Sequence, residues 1–453
     1  MELKNIENIY PLSFLQEAIL LDRLKMPEAD LSCGQFTCTL CGTLNASAFE
    51  QAWQQVIGRH SVLRTSFVWQ RVENPLQVVH KQVKLSLNQQ DWRSLSSNEQ
   101  KEKLENYIDT ERVCSFNLAK PQLIRLTLCR TDEYAYQFVW SYHSLILDNR
   151  SVYLILYEVF SLYDNFCRGQ ILPLEQICPY RDYVVWLRQQ NFSQTEGFWR
   201  QVLKGFTAPT ALVVDRVFRN TIYQRETKDQ LIQLSITIKE RLQSLAQEQQ
   251  LNLKTVVQGA WAILLSRYND NDDVVFGVTA SDRLTTLSGI ESIVGLLDNV
   301  LPIRVRLPAQ MQLLHWLKEL QTQQLQLAKY QHTPSLEIQN WSEIPSGLPL
   351  FESLLIFEDF PQKIGSEKLE IQNIRLLKWT NYPLTLIVSL DPKLSLRIVY
   401  AKRRFNDDVI VRMLGHIQTL LENIGTKPEQ CLSNIPLISK TELHQLEEWC
   451  CAY

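Results

Sequence analysis

Few residues in this chain combine the types and spacing that chemistry needs. Seven histidines are spread over 453 residues. One of them opens the run His143-Ser144-Leu145-Ile146-Leu147-Asp148-Asn149. An imidazole titrating near 6.5 can take up or release a proton near neutral pH. A serine beside a base can become a nucleophile, and a carboxylate can orient the base. A triad of Ser144, His143 and Asp148 is nevertheless disfavoured. Neighbours on extended backbone point to opposite faces, so His143 and Ser144 should diverge rather than pair. The simpler reading is a polar loop whose Asp148 caps the following helix.

Other chemistry finds less material. Ten cysteines include Cys38-x-x-Cys41, but Phe36, Cys38 and Leu40 alternate with Thr37 and Thr39 as in a strand. No second Cys-x-x-Cys or His pair follows at zinc spacing, so no metal site is expected and the cysteines read as small buried hydrophobes. Phosphate-binding glycine loops, His-Glu-x-x-His and Gly-x-Ser-x-Gly are absent from the sequence, which argues against an ATP- or NAD-using enzyme. With 46 Lys+Arg against 49 Asp+Glu, the net charge of −3 suggests neither nucleic acid nor an anionic membrane as partner. The start, Met1-Glu2-Leu3-Lys4-Asn5, has no apolar signal core, and no run reaches the roughly 18–20 apolar residues that span a bilayer. A cytoplasmic, soluble monomer is expected.

The elements that must position residues 143–149 alternate between strand and helix, which predicts a mixed α/β (α+β) protein. A strand over 36–44 leads to a helix capped by Asn45, with Phe49, Ala52, Trp53, Val56 and Ile57 on one stripe. Two alternating runs, 121–131 and 134–141, read as a hairpin around Asp132-Glu133, and its second strand runs into His143. Val152 to Phe160 reads as a buried helix. The proline-punctuated stretch 168–180 predicts a connection between two halves. Beyond it come a helix at 255–268, strands at 274–280 and 300–307, a long helix at 311–329, strands near 351–357 and 384–400, and a helix at 406–424. The length, 453 residues, exceeds what one core usually supports. The expected division is 1–175, 176–438, and a linker start at 439–453.

A series of segments, in order, resembles the condensation domains of nonribosomal peptide synthetases. They are Tyr10-Pro11-Leu12-Ser13-Phe14-Leu15-Gln16-Glu17, then Arg59 to Phe67 with Ser61 where Glu or Pro is usual, then Tyr180 to Trp186 followed by Phe198-Trp199. Ile293-Val294-Gly295-Leu296-Leu297-Asp298-Asn299, Tyr330 to Pro334 with Ile338 to Trp341, and Tyr382-Pro383-Leu384-Thr385 complete the series. The resemblance implies two chloramphenicol-acetyltransferase-like lobes in a V-shaped pseudo-dimer with a central tunnel. It implies that an acyl or peptidyl thioester donor is joined to an acceptor amine, both tethered through phosphopantetheine to carrier proteins. No cofactor of the domain's own is implied, and an adenylation domain is expected beside it in a larger synthetase. Gly295, Asn299 and Tyr382 are the expected second-lobe and tunnel residues.

The departure lies at residues 143–149. The family pattern is His-His-x-x-x-Asp-Gly, and this chain has Ser144 for the second His and Asn149 for the Gly. A hydroxyl without a base can hydrogen-bond but cannot accept a proton at neutral pH. Loss of a general base costs about 10²–10⁴ in rate, although positioning alone can supply much acceleration to an amine nucleophile. Ser144, His143 and Asp148 are the candidate site, with Arg64, Asn149 and Ser151 in support. Asp148 is expected to pair with Arg64. The His143-x-x-x-x-Asp148-x-x-Ser151 spacing is similar to that of heterocycle-forming relatives but lacks their first Asp, and epimerisation would need the missing His. Two functions remain: an atypical condensation domain with an amine or hydroxyl acceptor, or a silent module that binds a carrier protein or recruits a tailoring enzyme.

Overall fold

The computed structural model describes residues 5–25, 33–170, 175–212, 227–284, 287–358, 364–378, 380–390, 393–439 and 442–444. In chain order the elements are β1 (Ile6–Pro11), α1 (Phe14–Lys25), β2 (Cys33–Cys41), α2 (Ala46–Arg59), β3 (Thr65–Val68), β4 (Leu76–His80), β5 (Leu87–Asp91), α3 (Ser97–Val113), β6 (Ile124–Asp132), β7 (Ala135–His143) and α4 (Asn149–Cys167). Next come α5 (Tyr180–Arg188), α6 (Ser193–Leu203), β8 (Thr227–Gln233), α7 (Ile236–Gln249), α8 (Leu253–Asn269), β9 (Asp273–Ser281) and β10 (Asp298–Arg306). The chain continues through α9 (Leu313–Leu327), α10 (Ser335–Trp341), β11 (Ser353–Glu358), β12 (Glu370–Lys378), β13 (Leu384–Ser389), β14 (Ser395–Ala401) and α11 (Asp407–Thr426).

Contacts divide the chain into two units. One contains Met1–Gln190, Ser281–Asp298 and Phe360–Asn381; the other contains Asn191–Ala280, Asn299–Asp359 and Tyr382–Tyr453. This differs from the single expected boundary at 175, because two later segments return to the first unit. Most of the expected linker start, 440–441 and 445–453, lies outside the described residues.

In the first unit a five-stranded sheet runs β12-β2-β7-β6-β5. The β6–β7 hairpin turns at Glu133-Tyr134. Phe36, Phe138 and Trp140 alternate onto the face covered by α2 and α4, as the period of two requires. Trp53 meets Trp140 at 4.8 Å between centroids, and Phe49 meets Phe138 edge-on at 5.2 Å. The Asn45 cap forms as expected: its side chain accepts from Ala48 N–H at 3.1 Å. β2 stops at Cys41, short of the expected 44, because Gly42 turns at φ +133°, where a Cβ would lie 2.9 Å from the Lys368 carbonyl. A second sheet, β1-β4-β3, holds the first two residues of the first motif, Tyr10 and Pro11, and α1 holds Phe14 to Glu17.

In the second unit a six-stranded sheet runs β10-β9-β11-β13-β14-β8, with β11 parallel to β9 and β13. α8 is buried from Thr255 to Ser266 on every side, as an apolar helix without a polar face must be. Among the described residues no helix is long and apolar enough to cross a membrane.

Candidate active site

β7 delivers His143 to the end of the first unit's sheet, opposite Cys33 of β2. Tyr142 turns to the other face. Its ring lies over Gly34, where a Cβ would sit 2.4 Å from it, so only glycine fits there. His143 is fully buried. Its Nδ1 accepts the Leu145 N–H at 3.1 Å, and Nε2 lies 3.2 Å from Arg23 Nη1. The Phe116 ring meets the imidazole edge-on at 6.0 Å. His143 therefore holds the turn that follows it. Ser144, in that turn, is half-buried, and its hydroxyl makes no hydrogen bond among the described residues. β7 ends at His143, so Ser144 lies in a turn where strand alternation does not set its direction; His143 is buried and Ser144 half-buried. Gln16 of the first motif steadies the same turn, donating from Nε2 to the Leu145 carbonyl at 2.8 Å.

Asp148 caps α4, accepting the Ser151 N–H at 2.6 Å. The expected ion pair with Arg64 is not formed. Arg64 instead donates to Glu7 Oε2 at 2.6 Å, to the Ile57 carbonyl at 3.0 Å and to the His80 carbonyl. The cation at Asp148 is Arg283, whose Nη2 lies 3.2 Å from Oδ1 and 3.1 Å from Oδ2. Arg64 is already engaged by Glu7 and by the Ile57 and His80 carbonyls, whereas Arg283 reaches Asp148 from 135 residues away. The Leu297 N–H adds a further donor to Asp148 at 3.1 Å.

Ser151 completes the lock. Its hydroxyl donates to the Gly295 carbonyl at 2.7 Å and accepts from the Gly295 N–H and Arg283 Nη2, both at 2.9 Å. Gly295 itself is required by Tyr180, since a Cβ would lie 2.1 Å from that ring. Asn149, the first residue of α4, has its Oδ1 buried with no hydrogen-bond partner among the described residues.

The remaining predicted residues lie in the second unit. Asn299 Nδ2 donates to the carbonyls of Gln331 and Thr333, both at 2.7 Å, and so ties the fifth motif to the sixth. Tyr382 stacks on Phe351 at 5.3 Å and 15°. Cys38 and Cys41, three apart on β2, face opposite sides of the sheet and cannot share one ion. Burial pushes the Cys38 thiol up.

Two carboxyls beside the lock were not singled out from the sequence. Asp282 is buried; its Oδ2 accepts the Tyr183 hydroxyl at 2.8 Å. Burial pushes it up to about 7, opposed by the Tyr183 hydrogen bond and reinforced by the charge of Asp298. Asp298 is likewise pushed up to about 7 by burial and by Asp148, against Lys378 and Arg283. The available signal was an acid ending the apolar run Ile293 to Leu297. A cavity of about 460 Å³ between α3 and β6, lined in part by Tyr107 and Arg125, includes none of these residues.

The described residues thus form a mixed α/β architecture with a histidine-headed turn locked by a buried Asp–Arg pair. The match to the condensation-domain family model spans residues 6–447, and the chain belongs to that family. It is 40% identical over 452 residues to a linear gramicidin synthase protein of Brevibacillus parabrevis, covering 98% of this chain and 6% of that protein. It is 32% identical over 447 residues to bacitracin synthase 3 of Bacillus licheniformis, 97% of this chain and 7% of that protein. The chain thus spans under a tenth of these relatives. Among solved structures it resembles the starter condensation domain of rhizomide synthetase, with TM-score 0.83, 19% identity, and 95% and 98% coverage of the two chains. It also resembles the X-domain from teicoplanin biosynthesis, with TM-score 0.80, 20% identity, and 94% and 97% coverage. These likenesses establish the chloramphenicol-acetyltransferase-like fold.

Proposed function

We propose that this domain joins an acyl or peptidyl thioester donor to an acceptor amine, each carried on the phosphopantetheine arm of a carrier protein. It would do so inside a larger cytoplasmic synthetase that also holds an adenylation domain. The observation that carries this reading is the intact lock. Asp148, Arg283, Ser151 and Gly295 hold the turn with hydrogen bonds of 2.6–3.2 Å, and Ser144 is presented half-open to solvent. Ser144 can position a substrate by hydrogen bonding, and holding donor and acceptor together supplies acceleration without a base. The test is to load donor and acceptor carriers, add the domain, and follow the acceptor by intact mass. A lengthened acceptor supports the reading; stable carrier binding with no product from any cognate pair sinks it.

A second reading is favoured by Ser144 and Asn149 together. Both replace family residues in the one loop linked with catalysis, and a similar X-domain is known in complex with OxyB from teicoplanin biosynthesis. On this reading the domain is silent and recruits a tailoring enzyme to a carrier protein.

A further inference from the structure

The cavity of about 460 Å³ beside α3 lies wholly within the first unit and includes none of the residues proposed for the reaction. It exists because β5 starts late. β5 joins β6 in parallel only from Leu87 opposite Leu126 onward, so the first residues of β6 have no strand on that side. α3 does not fill the gap, since it is mostly polar and buries only Ile108. The volume lies within the roughly 300–1,000 Å³ of small-molecule sites.

Three features of the lining point to one kind of ligand. The first is an unfinished sheet edge. The His143 N–H donates to the Leu123 carbonyl just before β6, so alternation turns the backbone polar groups of Leu123 and Arg125 toward β7. Those of Ile124, between them, turn the other way, toward the cavity that Ile124 lines. The Ile124 N–H and C=O have no partner among the described residues. A ligand amide can complete them. The second feature is charge. Lys84, Lys120 and Arg125 line the cavity against a single acid, Glu111. Arg125 is engaged by Glu111 at 3.3 Å and by the Cys114 and Ser115 carbonyls at 2.9 and 3.0 Å. Lys84 and Lys120 are exposed and form no ion pair among the described residues. The lining therefore keeps uncompensated positive charge, which suits a carboxylate. The third feature is an apolar floor, formed by the buried side chains of Leu63, Leu85, Phe116 and Leu126.

We propose that this cavity binds a short peptide by its free C-terminal carboxylate. The carboxylate meets Lys84 and Lys120, the backbone amides pair with Ile124 as a strand added to the edge of β6, and an apolar side chain rests on the floor. The Phe116 ring that lines the cavity also meets the His143 imidazole at 6.0 Å, so the bound peptide lies one ring from the turn that carries Ser144. Binding at this place does not depend on whether the domain forms bonds.

The test titrates the whole domain with acetyl-Ala-Leu-Leu by isothermal titration calorimetry. Saturable binding is expected. Three changes should each weaken it by about tenfold or more: the C-terminal amide in place of the carboxylate, N-methylation of both leucines, and the double variant Lys84→Ala/Lys120→Ala. Decanoate, with the same charge and an apolar body but no amide, should bind at least tenfold more weakly than the peptide. Circular dichroism establishes that the double variant is folded, and the exposed position of both lysines makes that the expected result. Absence of binding at millimolar peptide overturns the proposal. So does undiminished binding to the double variant, which places the peptide elsewhere on the domain. Equal affinity for peptide and decanoate also overturns it, because the sheet edge would then have no part in recognition.

Discussion

Asp148 and Arg283 close on each other at 3.1 Å with side chains 0% and 6% exposed, an ion pair sealed inside the first unit. Removing one partner of such a pair leaves a charge buried without compensation. Arg283→Ala and Asp148→Ala should each destabilise the domain by about 3–5 kcal/mol. A double-mutant cycle by urea unfolding should give a large Asp148–Arg283 coupling and a coupling near zero for Asp148–Arg64. A strong Asp148–Arg64 coupling would refute the assignment of partners.

Ser144 is half-buried, and its hydroxyl makes no hydrogen bond among the described residues. Ser144→Ala should therefore change unfolding free energy by less than about 0.5 kcal/mol. As a group that positions substrate by one hydrogen bond, Ser144 is worth less than about tenfold in rate, so Ser144→Ala should slow condensation by no more than that. A loss of 10²-fold or more, read by intact mass, would make Ser144 the working group instead.

Asp282 and Asp298 are held near 7, above the usual carboxylate value of about 4. Between those values the folded chain binds more protons than the unfolded one, so this contribution to stability falls as pH rises. It is fully present below about pH 4 and is lost by about pH 7. Asp282→Asn removes its share, up to about 4 kcal/mol across that window at 1.36 kcal/mol per unit. Unfolding of wild type and variant from pH 4.5 to 8 should show the variant gaining relative stability as pH rises. Parallel profiles would contradict the assignment.

Gly295→Ala should destabilise by at least about 2 kcal/mol, because the new methyl would meet the Tyr180 ring at 2.1 Å. Tyr180→Leu in the same chain should recover part of that loss, measurable by thermal unfolding. An additive double mutant would show that the ring is not what the methyl meets.

The local rules of the sequence were legible where local forces decide. Asn45 and Asp148 cap the helices they precede, as their types and places predicted. Val152 to Phe160 is too short a span for its helix, since α4 extends to Cys167 on the strength of Leu162 and Tyr163. The capping box of α3, Ser96 with Glu99, was present in the sequence but masked by a helix that buries only Ile108 among mostly polar residues. What could not be read was pairing at a distance. Nothing near Asp148 in sequence announces Arg283, and Arg64, an attractive partner by motif, is taken by Glu7 and by the Ile57 and His80 carbonyls, none of which the sequence announced. The raised carboxyls arise from the same long-range assembly, so their signature exists only after folding.

β12 gives the first unit a peculiar order of construction. It pairs with β2 along Glu370 to Lys378, and Asp164 of α4 accepts from Ser366 and Glu367 just before it. Until residue 378 emerges from the ribosome, β2 presents a bare edge of unpaired N–H and C=O groups, the kind of template on which strands of other chains pair. A fragment cut at 175 would keep that edge for good. The unit that begins the chain is thus among the last to be finished, and its solubility during synthesis depends on residues made after most of the other unit.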